Sequence, residues 1–110
     1  RMPDEPKLDI TLQYFDGCPN WRQADVDLQA LIGELGLDTE VQYQHIETPE
    51  AAEEHDFRGS PTVRINGIDP FADDNAPIGL SCRIYQTESG RAGSPTREQL
   101  AWALQAADHD

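Results

Sequence analysis

Leu8-Asp9-Ile10-Thr11-Leu12-Gln13-Tyr14-Phe15, followed at once by Asp16-Gly17-Cys18-Pro19-Asn20-Trp21, is the stretch on which the fold turns. Ile10, Leu12 and Tyr14 alternate with Asp9, Thr11 and Gln13, the period of two that sends one face of a strand into a core. Asp16-Gly17 breaks the alternation. From Trp21 the apolar residues Ala24, Leu28, Leu31, Ile32 and Leu35 fall at helical spacing, Pro19 suits a first turn and Gly36 is a stop signal. A strand, a tight turn holding a cysteine and an amphipathic helix are therefore expected in that order.

Outward from this unit, residues 40–46 read as a second strand with Val41 and Tyr43 on one face, and Thr48-Pro49-Glu50 opens a short polar helix reaching Asp56. The order βαβα implies parallel neighbouring strands joined by a crossover, in a sheet that is mixed or parallel at its centre. Thr62-Val63-Arg64-Ile65 is a third strand ending at the tight-turn pair Asn66-Gly67. A return strand begins either at Ile68-Asp69-Pro70-Phe71 or, on a better reading, at Cys82-Arg83-Ile84-Tyr85, with an insertion between them. The last helix is capped by Ser94 ahead of Pro95 or by Thr96 paired with Gln99, and carries the stripe Leu100, Ala103, Leu104 and Ala107. Residues 1–7 read as a loose leader, residues 8–107 as one domain and residues 108–110 as a frayed tail.

The chain has 21 Asp plus Glu against 8 Lys plus Arg, a formal charge of −13. Such a surface repels phosphate backbones and anionic lipid, which argues against nucleic-acid and membrane partners. No apolar run approaches the ~20 residues of a bilayer span, and the N-terminus lacks the features of a signal peptide, so a cytoplasmic location is expected. Two cysteines, Cys18 and Cys82, exclude a disulfide-dense scaffold and a four-Cys zinc site. No metal and no cofactor are expected. Asp69, Asp73, Asp74 and Asn75 lack calcium-loop spacing and read as a solvated acidic loop, and His45, His55 and His109 show no ligand spacing.

Cys18 stands between a strand end and a helix start, where unpaired N–H groups and the helix dipole favour a thiolate. Cys18 is therefore the expected nucleophile, and the faster of the two thiols to alkylate. Asp16 and the negative field oppose that ionisation. Trp21, beside the thiol, is either a lid or, as its spacing to Ala24 and Leu28 favours, the first residue of the core stripe. Arg22, Arg58, Arg64 and Arg83 are scattered surface charge unless they attract an anionic thiol.

Strand, Cys18-Pro19 at a helix start, strand, helix, then Arg58-Gly59-Ser60-Pro61-Thr62 and a strand: this order resembles the thioredoxin family over residues 8–67, and the closing helix matches in place. The resemblance implies a thioredoxin-like α/β fold, a central mixed sheet flanked by helices, with an insertion before the last strands. It also implies a cis Ser60–Pro61 peptide lying against the thiol. Ser60 and Pro61 would then form one wall of a substrate-binding site and Cys18-Pro19 the other, with Trp21 and Thr62 as further substrate-binding residues. Dithiol members carry Cys-x-x-Cys, whereas Trp21 holds the second position here.

Three readings follow: a monothiol protein using an external thiol such as glutathione, a dithiol whose resolving member is Cys82, or a thioredoxin frame without redox chemistry. Under the first two, the partner is a protein or small-molecule thiol or disulfide. Under the third, the groove beside Pro61 binds a partner strand. The cysteine pair also resembles alkylmercury lyase, whose two cysteines bind the organomercurial while an acid protonates carbon; Asp16 would be that acid, although it precedes the cysteine.

Overall fold

The computed structural model describes residues 8–108, so the leader and the tail residues His109 and Asp110 lie outside the described residues. Three strands form a mixed sheet in the order β2-β1-β3: β1 (Ile10–Tyr14) pairs parallel with β2 (Val41–His45) and antiparallel with β3 (Thr62–Ile65). Between β1 and β2 runs α1 (Trp21–Leu35), closed by Gly36 in the left-handed conformation that a Cβ disfavours. The predicted crossover unit is thus present.

Ile10 and Leu12 of β1 point into a core shared with Ala24, Leu28 and Leu31 of α1, and with Leu100, Ala103 and Leu104 of α3 (Arg97–Asp108). These are the residues at which the two periodicities predict burial. The opposite face of the sheet is polar even where it is buried: Gln13 donates to Gln44 at 2.6 Å and accepts from Arg64 Nε at 3.0 Å. A smaller apolar cluster of Ile46, Ala52 and Phe57 packs with Phe15, Ile78 and Leu80, which attaches α2 (Pro49–Glu54) and the end of the insertion.

Local capping chemistry sets the starts of α2 and α3, whereas Asn20 at the start of α1 makes no side-chain cap. Thr48 Oγ1 accepts from the Ala51 N–H at 3.0 Å with Pro49 in the first turn. Of the two caps weighed for α3, the Thr96–Gln99 pair is the one formed, with reciprocal bonds of 2.9 and 3.0 Å. Helix α3 runs through Asp108, one residue into the expected tail. The Asn66-Gly67 turn is also as expected, both residues having positive φ, and Asn66 ties back to Asp9.

The return strand differs from both readings. Ile68 makes only an isolated bridge to Ile65, and Asp69 and Pro70 leave the sheet. Cys82 makes one parallel bridge to Ser60, and the strand proper is β4 (Tyr85–Thr87), which pairs with β5 (Gly90–Ala92) in a separate hairpin. The sequence reading misses β5 because no apolar alternation marks it. Turn chemistry builds the hairpin instead, with Thr87 Oγ1 donating to the Gly90 carbonyl at 2.6 Å and Gly90 at φ 111°. Tyr43 shares the side of Val41 but stays half-exposed on the edge strand, where its hydroxyl donates to Asp25 on α1 at 2.6 Å. That bond, with lesser help from burial, raises the Tyr43 hydroxyl above the ordinary tyrosine value.

Candidate functional site

Cys18 lies in the turn after β1, two residues ahead of Asn20, the cap of α1. It is further from the helix start than the sequence reading expects, and it is fully buried. Its N–H bonds the Phe15 carbonyl at 3.3 Å, which holds the turn against the strand end. Cys82 comes in from the far side of the insertion and joins Cys18 in a disulfide, with the two Cα atoms 5.6 Å apart. That separation lies well inside the range a disulfide bridges.

Backbone pairing at Ser60 places Cys82 there. The Ser60 N–H donates to the Ser81 carbonyl at 2.8 Å, and the Arg83 N–H donates to the Ser60 carbonyl at 2.9 Å. The same Ser60 carbonyl oxygen stands 3.6 Å from Cys18 Sγ. Gly59 makes this approach possible: its φ is 119°, and a Cβ there would sit 2.9 Å from the Arg83 Cβ. The Ser60–Pro61 peptide is cis, as the resemblance implies. Cys18, Ser60, Pro61 and Cys82 are therefore neighbours, and Ser60 and Thr62 are both buried. The Ser60 hydroxyl has no hydrogen-bond partner among the described residues.

Arg83 anchors the far side of the strap formed by residues 81–83. Its guanidinium pairs with Asp69 at 2.6 Å, reaches Thr62 Oγ1 at 3.3 Å, bonds the Phe71 carbonyl and lies 4.6 Å from the Tyr85 ring centre. Arg83 and Asp69 are thus not the scattered surface charge and solvated loop acid that the sequence reading expects. Their side chains are only 6% and 12% exposed, and each compensates the burial of the other. Tyr85 completes the arrangement by donating its hydroxyl to the Pro61 carbonyl at 2.5 Å. Burial, partly offset by the Arg83 charge, pushes its ionisation far above the ordinary tyrosine value. Sequence reasoning missed Tyr85 and the Arg83–Asp69 pair; a basic residue directly after Cys82 was the one available signal.

The other expected site residues lie further out. Trp21 packs partly buried against the main core and lies against Tyr14 with ring centres 4.5 Å apart and the planes tilted by 32°, in keeping with the stripe reading. The Pro19 carbonyl accepts from the Arg22 N–H at 3.1 Å, so Pro19 extends the turn into α1. Asp16 is exposed and meets His45 Nε2 at 3.2 Å, and Glu47 meets the other ring nitrogen. Beside Cys82 opens a groove of about 390 Å³, lined among others by Arg58, Ile84 and Tyr85. No protein-family model matches the chain, and a search of curated proteins finds no match either. No described helix is long and apolar enough to cross a membrane.

Proposed function

We propose that this chain is a thiol–disulfide redox protein of thioredoxin-like architecture whose working pair is Cys18 and Cys82. One observation carries the reading: two cysteines 64 positions apart meet in a disulfide against the cis Ser60–Pro61 peptide. In the reduced protein one thiolate attacks a substrate disulfide, forming a mixed disulfide and releasing one substrate thiol. The second protein thiolate then displaces the other substrate thiol and closes the internal bond. Two electrons pass to the substrate, and the chain ends oxidised. A cytoplasmic setting would supply the reductant that restores the dithiol.

The mixed β2-β1-β3 sheet, the crossover helix and the closing helix α3 all support the thioredoxin-like reading. Ser60 in this arrangement presents its backbone N–H and carbonyl to an extended segment, which in the oxidised protein is the chain's own residues 81–83. That occupancy weighs against a purely strand-binding role. The juxtaposed sulfurs also favour a second reading, capture of a soft metal or organomercurial between two thiolates. Asp16 gives it little help as an acid, being solvent-exposed and turned to His45.

The test is to mix the reduced protein at low concentration with oxidised glutathione. The expected result is loss of two mass units and release of two equivalents of thiol, with each single Cys→Ser variant stopping at a glutathione adduct. Wild type that accumulates only stable adducts or dimers overturns the dithiol reading.

A further inference from the structure

The two sulfurs of the pair are not equivalent. Cys18 is fully buried, whereas Cys82 is exposed. The groove beside the bond is lined by Cys82 with Ser81, Arg58 and Ile84, and Cys18 does not reach it. A nucleophile displaces one sulfur from another by approaching the attacked atom opposite the bond that breaks, so access decides which sulfur is attacked. Resting on the thiol–disulfide reading above, we infer that Cys82 is the sulfur through which outside thiols and disulfides exchange, and that Cys18 is the internal, resolving thiol. This reverses the roles that the sequence alone suggests.

In the reducing direction an outside thiolate attacks Cys82 Sγ from the groove. A bond forms between it and Cys82, the Cys18–Cys82 bond breaks, and the electron pair leaves on Cys18, which takes a proton from water. A second outside thiolate then attacks the outer sulfur, releasing a small disulfide and the Cys82 thiolate. In the oxidising direction the Cys82 thiolate attacks the substrate disulfide and expels one substrate thiolate. Cys18 then attacks Cys82 Sγ and expels the other.

The fold suits Cys18 to that second step. Residues 81–83 stay beside Cys18 through the two Ser60 backbone bonds and the Arg83–Asp69 pair, none of which depends on the redox state of sulfur. Breaking the disulfide therefore leaves Cys82 within reach, so Cys18 resolves a mixed disulfide without a loop closure. A partner molecule meets only the Cys82 side, which keeps exchange at Cys18 intramolecular.

The experiment treats the oxidised full chain with reduced glutathione, quenches with acid at short times, blocks free thiols with N-ethylmaleimide and maps the singly glutathionylated species. Glutathione is expected on Cys82 and maleimide on Cys18, by about tenfold over the reverse pattern, because Cys82 is exposed at the groove and Cys18 is buried. Equal amounts, a majority on Cys18, or a disulfide inert to glutathione overturns the inference. A second arm uses Ile84→Glu, a change at a side chain that is 55% exposed at the groove. It should slow opening by glutathione several-fold relative to 2-mercaptoethanol, because the carboxylates of glutathione add further negative charge to its attacking thiolate and strengthen the like-charge repulsion. An unchanged ratio also overturns the inference. If the reduced chain forms no internal disulfide with oxidised glutathione, the redox reading itself fails; a bond that forms but opens at Cys18 defeats only the assignment of roles.

Discussion

The β1-α1-β2 unit and the stretch from Ile68 to Ala92 are held together by different physics. In the first, Ile10, Leu12, Ala24 and Leu28 are completely buried in one apolar cluster, so stability is spread over many small contacts. In the second, Phe71, Ile78 and Leu80 add some apolar packing, but the path of the chain is set at a few points: the disulfide, two backbone bonds at Ser60, the Arg83–Asp69 pair and the Tyr85 hydroxyl on Pro61. The first region is a scaffold that tolerates chemistry nearby. The second carries the exposed cysteine, Cys82, and answers to single changes.

Four substitutions put this contrast to the test. Removing the covalent tie has the largest expected effect. Cys82→Ser frees a closed loop of 64 positions, and chain entropy puts the loss at about 4 kcal/mol, as an upper figure. Chemical denaturation of wild type, oxidised and reduced, against the variant measures it; a reduced wild type as stable as the oxidised form would show that the bond does not brace the fold. The folded variant should still protect the Arg83 amide from hydrogen exchange, because the Ser60 bonds and the Arg83–Asp69 pair do not need the covalent tie.

Asp69→Ala should follow closely, at about 3 kcal/mol, because it strands the Arg83 guanidinium in a buried site. Hydrogen exchange should rise at the Arg83 amide and leave β1 protected. Loss spread evenly over the chain would erase the distinction between the regions. Leu28→Ala, also near 3 kcal/mol from the cavity it opens in the scaffold, should show the opposite signature, one cooperative melt of both regions at a lower denaturant midpoint.

Tyr85→Phe is the mildest change, about 1 kcal/mol, since it removes one hydroxyl and leaves the Pro61 carbonyl without that donor. It also carries a pH signature. The folded state holds the Tyr85 proton more tightly than the unfolded chain, so the stability this group contributes is complete below about pH 10 and is lost as pH rises beyond it. Denaturation midpoints measured from pH 8 to 11 should fall more steeply for wild type than for Tyr85→Phe. Parallel curves would mean that Tyr85 ionises as freely in the fold as out of it.

Much of the scaffold was legible because its determinants are local. The alternation in β1, the spacing from Ala24 to Leu31, the Gly36 stop, the Thr48 cap and the Asn66-Gly67 turn each act over a few residues, and the structure has them where they are expected. The α3 cap was legible only as a choice between two, settled by the Thr96–Gln99 geometry. The site was legible in part. The sequence pointed to Cys18, Ser60 and Pro61 as neighbours and left Cys82 as one of three possible answers to the missing second cysteine.

Local sequence was enough for β1, α1, β2, α2, β3 and α3 and their order, though not for the β4–β5 hairpin, because hydrophobic period and capping chemistry are read over one or two turns of chain. Tertiary structure alone decided that Cys82 reaches Cys18, that Arg83 is buried on Asp69 and that Tyr85 closes on Pro61. These contacts join positions with no shared period, across an insertion whose polar residues favour no regular path. Their formation depends on Gly59 letting Arg83 approach and on the two free backbone groups of Ser60, features that have meaning only once the sheet has assembled. The same assembly buries Cys18 and exposes Cys82, a difference invisible in two cysteine letters.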